Sequence, residues 1–161
     1  MANEKELKMT QETCEAACRY FDKRQWKYKK EQDGEDLVLT FGVRGDDIPM
    51  KFIVAFDADR QLIRLLSMLP FDVSEQSRGI LAVATSYVNY MMSDGVFCLD
   101  LDDGTICFKY TSSYRNCLIG EELFEYMLDL SITMVDEFND KFLMLDKGML
   151  SLEDFLQKYS K

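Results

Sequence analysis

The chain has 161 residues, of which 47% are hydrophobic and 30% are charged, and this balance is typical of a globular protein with a core of its own. Its 29 acidic and 19 basic residues give a net charge of −10, which repels phosphate backbones and anionic lipids and therefore argues against nucleic-acid and membrane partners. Histidine is absent, so the commonest general base and the usual zinc ligand beside cysteine are both excluded.

The first third of the chain predicts a helix followed by antiparallel strands. Thr10 can cap a helix whose apolar residues follow the i, i+3, i+4, i+7 spacing of one helical face: Cys14, Ala17, Cys18 and Phe21. A short strand is expected around Trp26 and Tyr28. Alternating apolar residues then predict two longer strands over 37–43 and 50–56.

The strand predicted over 61–69 differs from its neighbours, because it is apolar on both faces apart from Arg64 and Ser67. Such a strand is buried on both sides or lies at an interface. Pro70 is expected to end it.

The second half of the chain predicts helices on both sides of a β-hairpin. Ser74 can cap a helix that reaches about residue 90, and a long helix covers about 121–145 after the hairpin. A tail over about 146–161 contains a short helix that starts at Ser151.

These elements predict one α+β domain that spans residues 1–161, with its core over about 10–145. The expected order is α-β-β-β(-β)-α-β-β-α, with an antiparallel sheet of five to six strands. The helical tail follows this core.

The predicted hairpin carries two cysteines beside an acidic turn, DLDDG. A two-residue type I′ turn at 103–104 would place Cys98 opposite Lys109 and Cys107 opposite Asp100. The two thiols would then be diagonal neighbours on the solvent side. Three interpretations remain open: a plain hairpin with free thiols, a redox or disulfide pair, and a metal site.

The plain hairpin is favoured, because no third soft metal ligand is adjacent in the sequence and no histidine exists. DLDDG also lacks the remaining ligand positions of a calcium-binding EF-hand loop. Cys14 and Cys18 share a helix face, but cysteines there are more often small buried hydrophobes than metal ligands. We therefore expect no metal, no cofactor, no catalytic residue and no small-molecule substrate.

The cysteine count and the amino terminus predict a cytoplasmic protein. Five cysteines, an odd number, fit reduced thiols better than a disulfide framework. The first residues, MANEKELKMTQE, lack the apolar core of a signal peptide, and no apolar run is long enough to predict a membrane span.

The apolar residues of the long helix form a face that is wider than the roughly 100° stripe that one core contact needs. This face and the strand over 61–69 are therefore expected to contact a protein partner or a second copy, with a homodimer favoured. Alternatively, the tail folds back and covers the helix. The candidate contact residues are Leu62, Leu66, Met68, Met91, Met92, Phe124, Leu128 and Val135.

The central part of the chain, LSMLPFDVSEQSRGILAVATSYVNYMMSDGVFCLDLDDGTICFKYTS, resembles YbjN-domain proteins, and the similarity covers roughly residues 12–145. The motifs that carry it are a strand that ends in Leu69-Pro70, a helix that leads to Asn89, the Gly-x-Phe of 95–97, the acidic hairpin LDLDDG over 99–104 and the long closing helix.

This resemblance implies a fold similar to that of type III secretion chaperones, which are small acidic proteins that dimerise and bind segments of partner proteins. It implies a non-enzymatic binding or regulatory role, of the kind described for this family as a bacterial sensory transduction regulator, and it carries over no catalytic residue. The alternative function is a dedicated secretion chaperone for an effector-like client. A remote alternative is a thiol-dependent enzyme that uses Cys98 or Cys107, with Lys109 as the nearby cation.

Overall fold

A computed structural model describes residues 1–160, and over this range the chain forms four α-helices and six β-strands. In chain order these are α1 (Glu4–Lys23), β1 (Tyr28–Asp33), β2 (Asp36–Val43), β3 (Met50–Asp57), β4 (Leu62–Asp72), α2 (Arg78–Met91), β5 (Val96–Leu99), β6 (Thr105–Ser113), α3 (Glu121–Asp146) and α4 (Leu152–Tyr159). A single 3₁₀ turn, Glu75–Ser77, leads into α2.

The six strands form one antiparallel sheet in the order β1-β2-β3-β4-β6-β5. The first four strands are consecutive neighbours, whereas β6 pairs with β4 and places β5 at the edge. The α+β class, the antiparallel sheet and the predicted order of elements are confirmed, and β4 is the optional fourth strand of the first run.

One face of the sheet is covered by helices. On this face α1 contacts β2 and β3, α3 contacts β4 and β6, and α2 contacts β5. The strand residues that point toward the helices alternate with outward-facing ones, and several are fully buried: Leu39, Phe52, Val54, Ile63, Leu65 and Phe108. No helix among the described residues is long and apolar enough to cross a bilayer.

The first helix begins earlier than predicted. Asn3 is its N-cap, because its side chain accepts a hydrogen bond from the Glu6 N–H at 3.0 Å while the Glu6 carboxylate accepts one from the Asn3 N–H at 2.8 Å. Thr10 lies in the helix interior, where its hydroxyl is 2.9 Å from that of Tyr114. The prediction was wrong because the first turn of α1 is polar, and apolar periodicity does not reveal it.

Strand β4 also continues past Pro70, which was expected to end it. The register of β4 against β6 is irregular between Met68 and Asp72. The missing N–H of proline therefore falls where the pairing is already interrupted, and the strand resumes beyond it.

The predicted register of the hairpin between β5 and β6 is wrong by two residues. Cys98 lies opposite Cys107, and a four-residue connection over 101–104 replaces the predicted two-residue turn. A type I′ turn requires positive φ at both central positions, and Asp103 has no positive φ.

Contacts with the rest of the fold determine this longer turn. The N–H of Val73 donates to the carbonyl of Gly104 at 2.8 Å, and the guanidinium of Arg78 donates to the carbonyls of Leu101 and Asp102, each at 3.0 Å. The turn is thus attached to the start of α2.

The tail folds back onto the helical layer. This is the arrangement that was predicted as the alternative to a protein partner. Phe155 of α4 is fully buried, with its ring centroid 6.3 Å from that of Phe138 and 6.2 Å from that of Phe142. The carboxyl-terminal half of α3 is therefore covered by the chain itself.

Candidate functional site

The eight residues that were predicted to form one contact surface lie in three separate places. Phe124, Leu128 and Val135 are at most 1% exposed, because this side of α3 packs in the core. They are not available to a partner, and their assignment to a contact surface is wrong.

Leu62, Leu66 and Met68 lie on the face of the sheet that is opposite to the helices. Leu62 and Leu66 are half-buried, and the side chain of Met68 is 48% exposed. Polar groups interrupt this face, since Leu66 pairs with Lys109 across the strands and Arg64 binds the carboxylate of Asp57 at 2.9 Å.

Met91 and Met92 line a groove on the other side of the molecule, at the end of α2. This groove, which we call the α2–α3–α4 groove, has a volume of about 400 Å³. Its walls are mostly apolar and are contributed by three helices and the residue after α2: Val88, Met91, Met92, Leu130, Met134, Phe138 and Tyr159. Methionine side chains are flexible and polarisable, and they adapt to partners of different shape.

Two hydrogen-bonded pairs flank the apolar walls. The hydroxyl of Tyr159 donates to the Glu137 carboxylate at 2.6 Å, and that of Tyr126 donates to Asp94 at 2.7 Å. Burial and the bond to Glu137 raise the pKa of Tyr159, and the bond to Asp94 raises the pKa of Tyr126. The Tyr159 bond in turn lowers the pKa of Glu137. Both tyrosines therefore remain protonated donors at neutral pH, and each carboxylate already has a partner.

Asn89 fixes the end of α2 that carries the methionines. Its side-chain amide donates to the carbonyl of Phe97 at 2.9 Å, and its side-chain oxygen accepts the Phe97 N–H at 2.8 Å. Gly95 makes the approach possible, because its φ is +75° and a Cβ there would lie 2.4 Å from the ring of Phe108. The residues that carry the family resemblance in this segment thus attach α2 to the edge strand.

An exposed apolar stripe runs along the outer side of α2 toward the groove. Its residues recur at helical spacing, and the exposed fraction of Val83 is 49% and that of Tyr90 is 88%. The stripe, which we call the α2 stripe, consists of Ile80, Val83, Tyr87, Tyr90 and Met91. Met91 belongs to both surfaces and connects them.

The cysteines of the hairpin are directly opposite each other, unlike the predicted diagonal arrangement. The backbone groups of Phe97 point toward Asn89, so Cys98 and Cys107 occupy a hydrogen-bonded pair of the ladder, where facing Cα atoms are farther apart. Both thiols are free, and burial raises the pKa of Cys107. A raised pKa disfavours the thiolate that a nucleophile needs.

The other cysteine pair lies on α1. Cys14 is fully buried, as predicted for a small hydrophobe, whereas Cys18 is partly exposed. The neighbouring thiol of Cys14 lowers the pKa of Cys18 below its ordinary value. Within residues 1–160, no three side chains of the kinds that bind metals lie close together.

Sequence reasoning missed most of the groove. Tyr126, Leu130 and Met134 recur every four residues on α3, and this spacing indicates one helix face. The contribution of Tyr159 depends on how α4 folds back, and no local pattern reports that.

Neither a protein-family model nor a curated protein matches this sequence.

Proposed function

We propose that this protein is a non-enzymatic binding or regulatory module of the YbjN and secretion-chaperone-like kind, and that it binds another protein through the α2–α3–α4 groove. The observation that carries the proposal is the apolar wall that Met91, Met92, Leu130 and Met134 form on the surface. Exposed apolar surface of this kind marks contact sites.

A protein segment suits the groove better than a small polar ligand. The polar groups that flank the walls, Tyr126 with Asp94 and Tyr159 with Glu137, are already hydrogen-bonded to each other. A small ligand usually needs a few unpaired polar groups that fix its orientation. The adjoining α2 stripe extends the apolar surface beyond the groove, as a longer partner requires.

Paired methionine substitutions test this function. Met91→Gln with Met134→Gln keeps side-chain length and helix propensity but makes the groove polar. The matched control, Met68→Gln with Met149→Gln, changes two methionines outside the groove. Met68 is 48% exposed and Met149 is 72% exposed. Each chain is immobilised and used to capture proteins from the source cell, after its melting temperature has been checked.

The proposal expects at least one protein that is captured by the wild type and the control pair but not by the groove pair. Capture profiles that are identical for all three chains would refute it. Loss of capture from the control pair alone would assign binding to a surface that contains Met68 or Met149, and Met68→Gln by itself would then test the sheet face predicted from Leu62, Leu66 and Met68.

Self-association is a second candidate, and the α2 stripe favours it. This helix carries no acidic residue, so two copies could bring their stripes together without repulsion between carboxylates. A homodimer of this kind predicts concentration-dependent sedimentation that Val83→Gln weakens. A dedicated secretion chaperone would combine both contacts in the cytoplasm, with an effector-like client in the groove.

A further inference from the structure

The acidic residues of α3 are distributed unevenly around the helix. The helix carries eight carboxylates and a single lysine, Lys141. Those that face α1 are neutralised: Glu121 is 2.6 Å from the ammonium of Lys23, and Glu125 binds Arg24. This part of the negative charge stabilises the packing of α1 on α3.

Two carboxylates between the α1 side of α3 and the groove are not neutralised. Glu122 and Asp129 are exposed, and neither has a hydrogen-bond or ion-pair partner within residues 1–160. They stand four residues before and three residues after Tyr126, on the edge of α3 between the groove and α1. Burial and the nearby charge of Asp129 raise the pKa of Tyr20 on α1. Asp94 accepts a hydrogen bond from the neutral Tyr126, whereas Glu137 accepts one from Tyr159 and is also ion-paired with Lys141. Lys141, which Glu137 and Asp140 hold at 3.5 and 3.2 Å, is the cation that faces this region from α3, and Lys158 faces it from α4.

We infer that the occupant of the α2–α3–α4 groove is a basic amphipathic helix, which inserts bulky apolar side chains between the methionines and aligns lysines or arginines with Glu122 and Asp129 on the adjoining edge of α3. The inference rests on the proposed function and specifies its partner. A volume of about 400 Å³ accommodates a few large side chains, which is the number of anchors that one face of a short helix presents at i, i+3, i+4 and i+7. Opposite charges around an apolar groove select the partner and accelerate its association.

A second copy is a poorer occupant. In a closed two-fold contact through the groove both copies contribute the same surface, so the carboxylates of Glu122 and Asp129 would enter the interface twice. Like charges that face each other across an interface oppose association.

Three synthetic helices of 18 residues provide the test with the full-length chain. All three carry the same leucine and tryptophan face, and their polar positions are all lysine, all glutamine or all glutamate, respectively. Binding is measured by fluorescence anisotropy at about 50 mM and 500 mM salt, which changes the screening length from above to well below 10 Å.

We expect the lysine helix to bind at least tenfold more tightly than the glutamine helix at low salt, and the glutamate helix not to bind. High salt should remove most of the difference. Met91→Gln with Met134→Gln should abolish binding of the lysine helix. Glu122→Gln with Asp129→Asn should weaken it about fivefold, as expected for two exposed ion pairs.

The matched charge control is Glu4→Gln with Asp33→Asn, which removes two exposed carboxylates of α1 and β1 and changes the net charge by the same amount. Equal weakening by both charge pairs would show that only net charge matters and would overturn the inference. Lysine-helix binding that survives the methionine pair would overturn it as well, because the helix would then lie elsewhere.

Equal binding of the lysine and glutamine helices would overturn the charge selection but leave the groove as a protein-binding site. If no helix binds, groove-dependent capture of a cellular protein decides what has failed. Capture that persists would refute only the basic helix as occupant, whereas its absence would refute the proposed function too.

Discussion

Phe155 is predicted to anchor the whole of α4, so Phe155→Ala should release this helix from the domain. Phe155 is the one fully buried side chain of α4, and its ring packs against Phe138, Phe142 and Tyr159 with centroids 5.2–6.3 Å apart. The other residues of the helix are half-buried or exposed.

The magnitude follows from this burial. Replacing a buried phenylalanine by alanine costs about 3–5 kcal/mol through lost apolar contact and the cavity left behind. An eight-residue helix is not stable alone, so α4 should unfold once its anchor is gone, and the loss is then limited to its docking free energy. We expect a loss of about 3 kcal/mol, or about 6–12 °C in melting temperature for a chain of this length.

Urea unfolding measures the loss, and hydrogen exchange over 148–160 shows whether it is local. Met149→Ala is the control, because the side chain of Met149 is 72% exposed and precedes the helix. A loss below about 1 kcal/mol, with unchanged protection of α4, would refute the prediction that Phe155 anchors the tail. Sedimentation adds a further readout, since release of α4 exposes Phe138 and Phe142 and should promote self-association.

Three further predictions concern the segments that support the groove. Asn89→Ala should lower the free energy of unfolding by about 2 kcal/mol, because two backbone groups of Phe97 lose their hydrogen-bond partner. Urea unfolding measures this loss, and a loss smaller than about 0.5 kcal/mol would show that water replaces the side-chain amide. Gly104→Ala should lower the free energy of unfolding by at least about 2 kcal/mol, because φ of Gly104 is +87° and the new Cβ would lie 2.2 Å from the carbonyl oxygen of Val73. The control, Gly79→Ala, lies in a helix with open space around it and should be neutral or stabilising. Asp146→Asn should cost about 2 kcal/mol at neutral pH. Burial opposes ionisation of Asp146, but hydrogen bonds hold its pKa below 3.8, so the difference from wild type should persist above that pH and shrink as the pH falls below it. A difference that grows in acid would contradict this sign.

Elements with a regular apolar period could be predicted from the sequence, whereas the connections that depend on tertiary contacts could not. The alternation in β2 and β3 and the long stripe of α3 gave the α+β order correctly. The hairpin register failed because Asp103-Gly104 matches the local signature of a type I′ turn, while the actual turn is held by Val73 and Arg78 from a distant part of the chain. Local turn chemistry is only one of the forces that determine a register.

Prediction of the candidate site from the sequence was limited in the same way, in this case on helix α3. The apolar face of α3 is so wide that its periodicity does not reveal which edge points inward. The predicted contact residues Phe124, Leu128 and Val135 form the buried edge, whereas Leu130 and Met134 form the accessible one. Only the positions of the sheet and of α4 distinguish the two edges.

The distribution of charge offers a reason why two apolar surfaces can coexist on one small protein. Along the α2 stripe no carboxylate opposes a second copy, and two chains can meet there if the apolar contact is large enough. At the groove, the carboxylates of α3 oppose a second copy and favour a basic partner. Met91 lies where the two surfaces join, so a dimer through the stripe would bring a partner helix close to the second copy. Binding of the lysine helix should therefore change the dimerisation constant if both proposals hold, and by linkage dimerisation should change the affinity for the helix by the same factor.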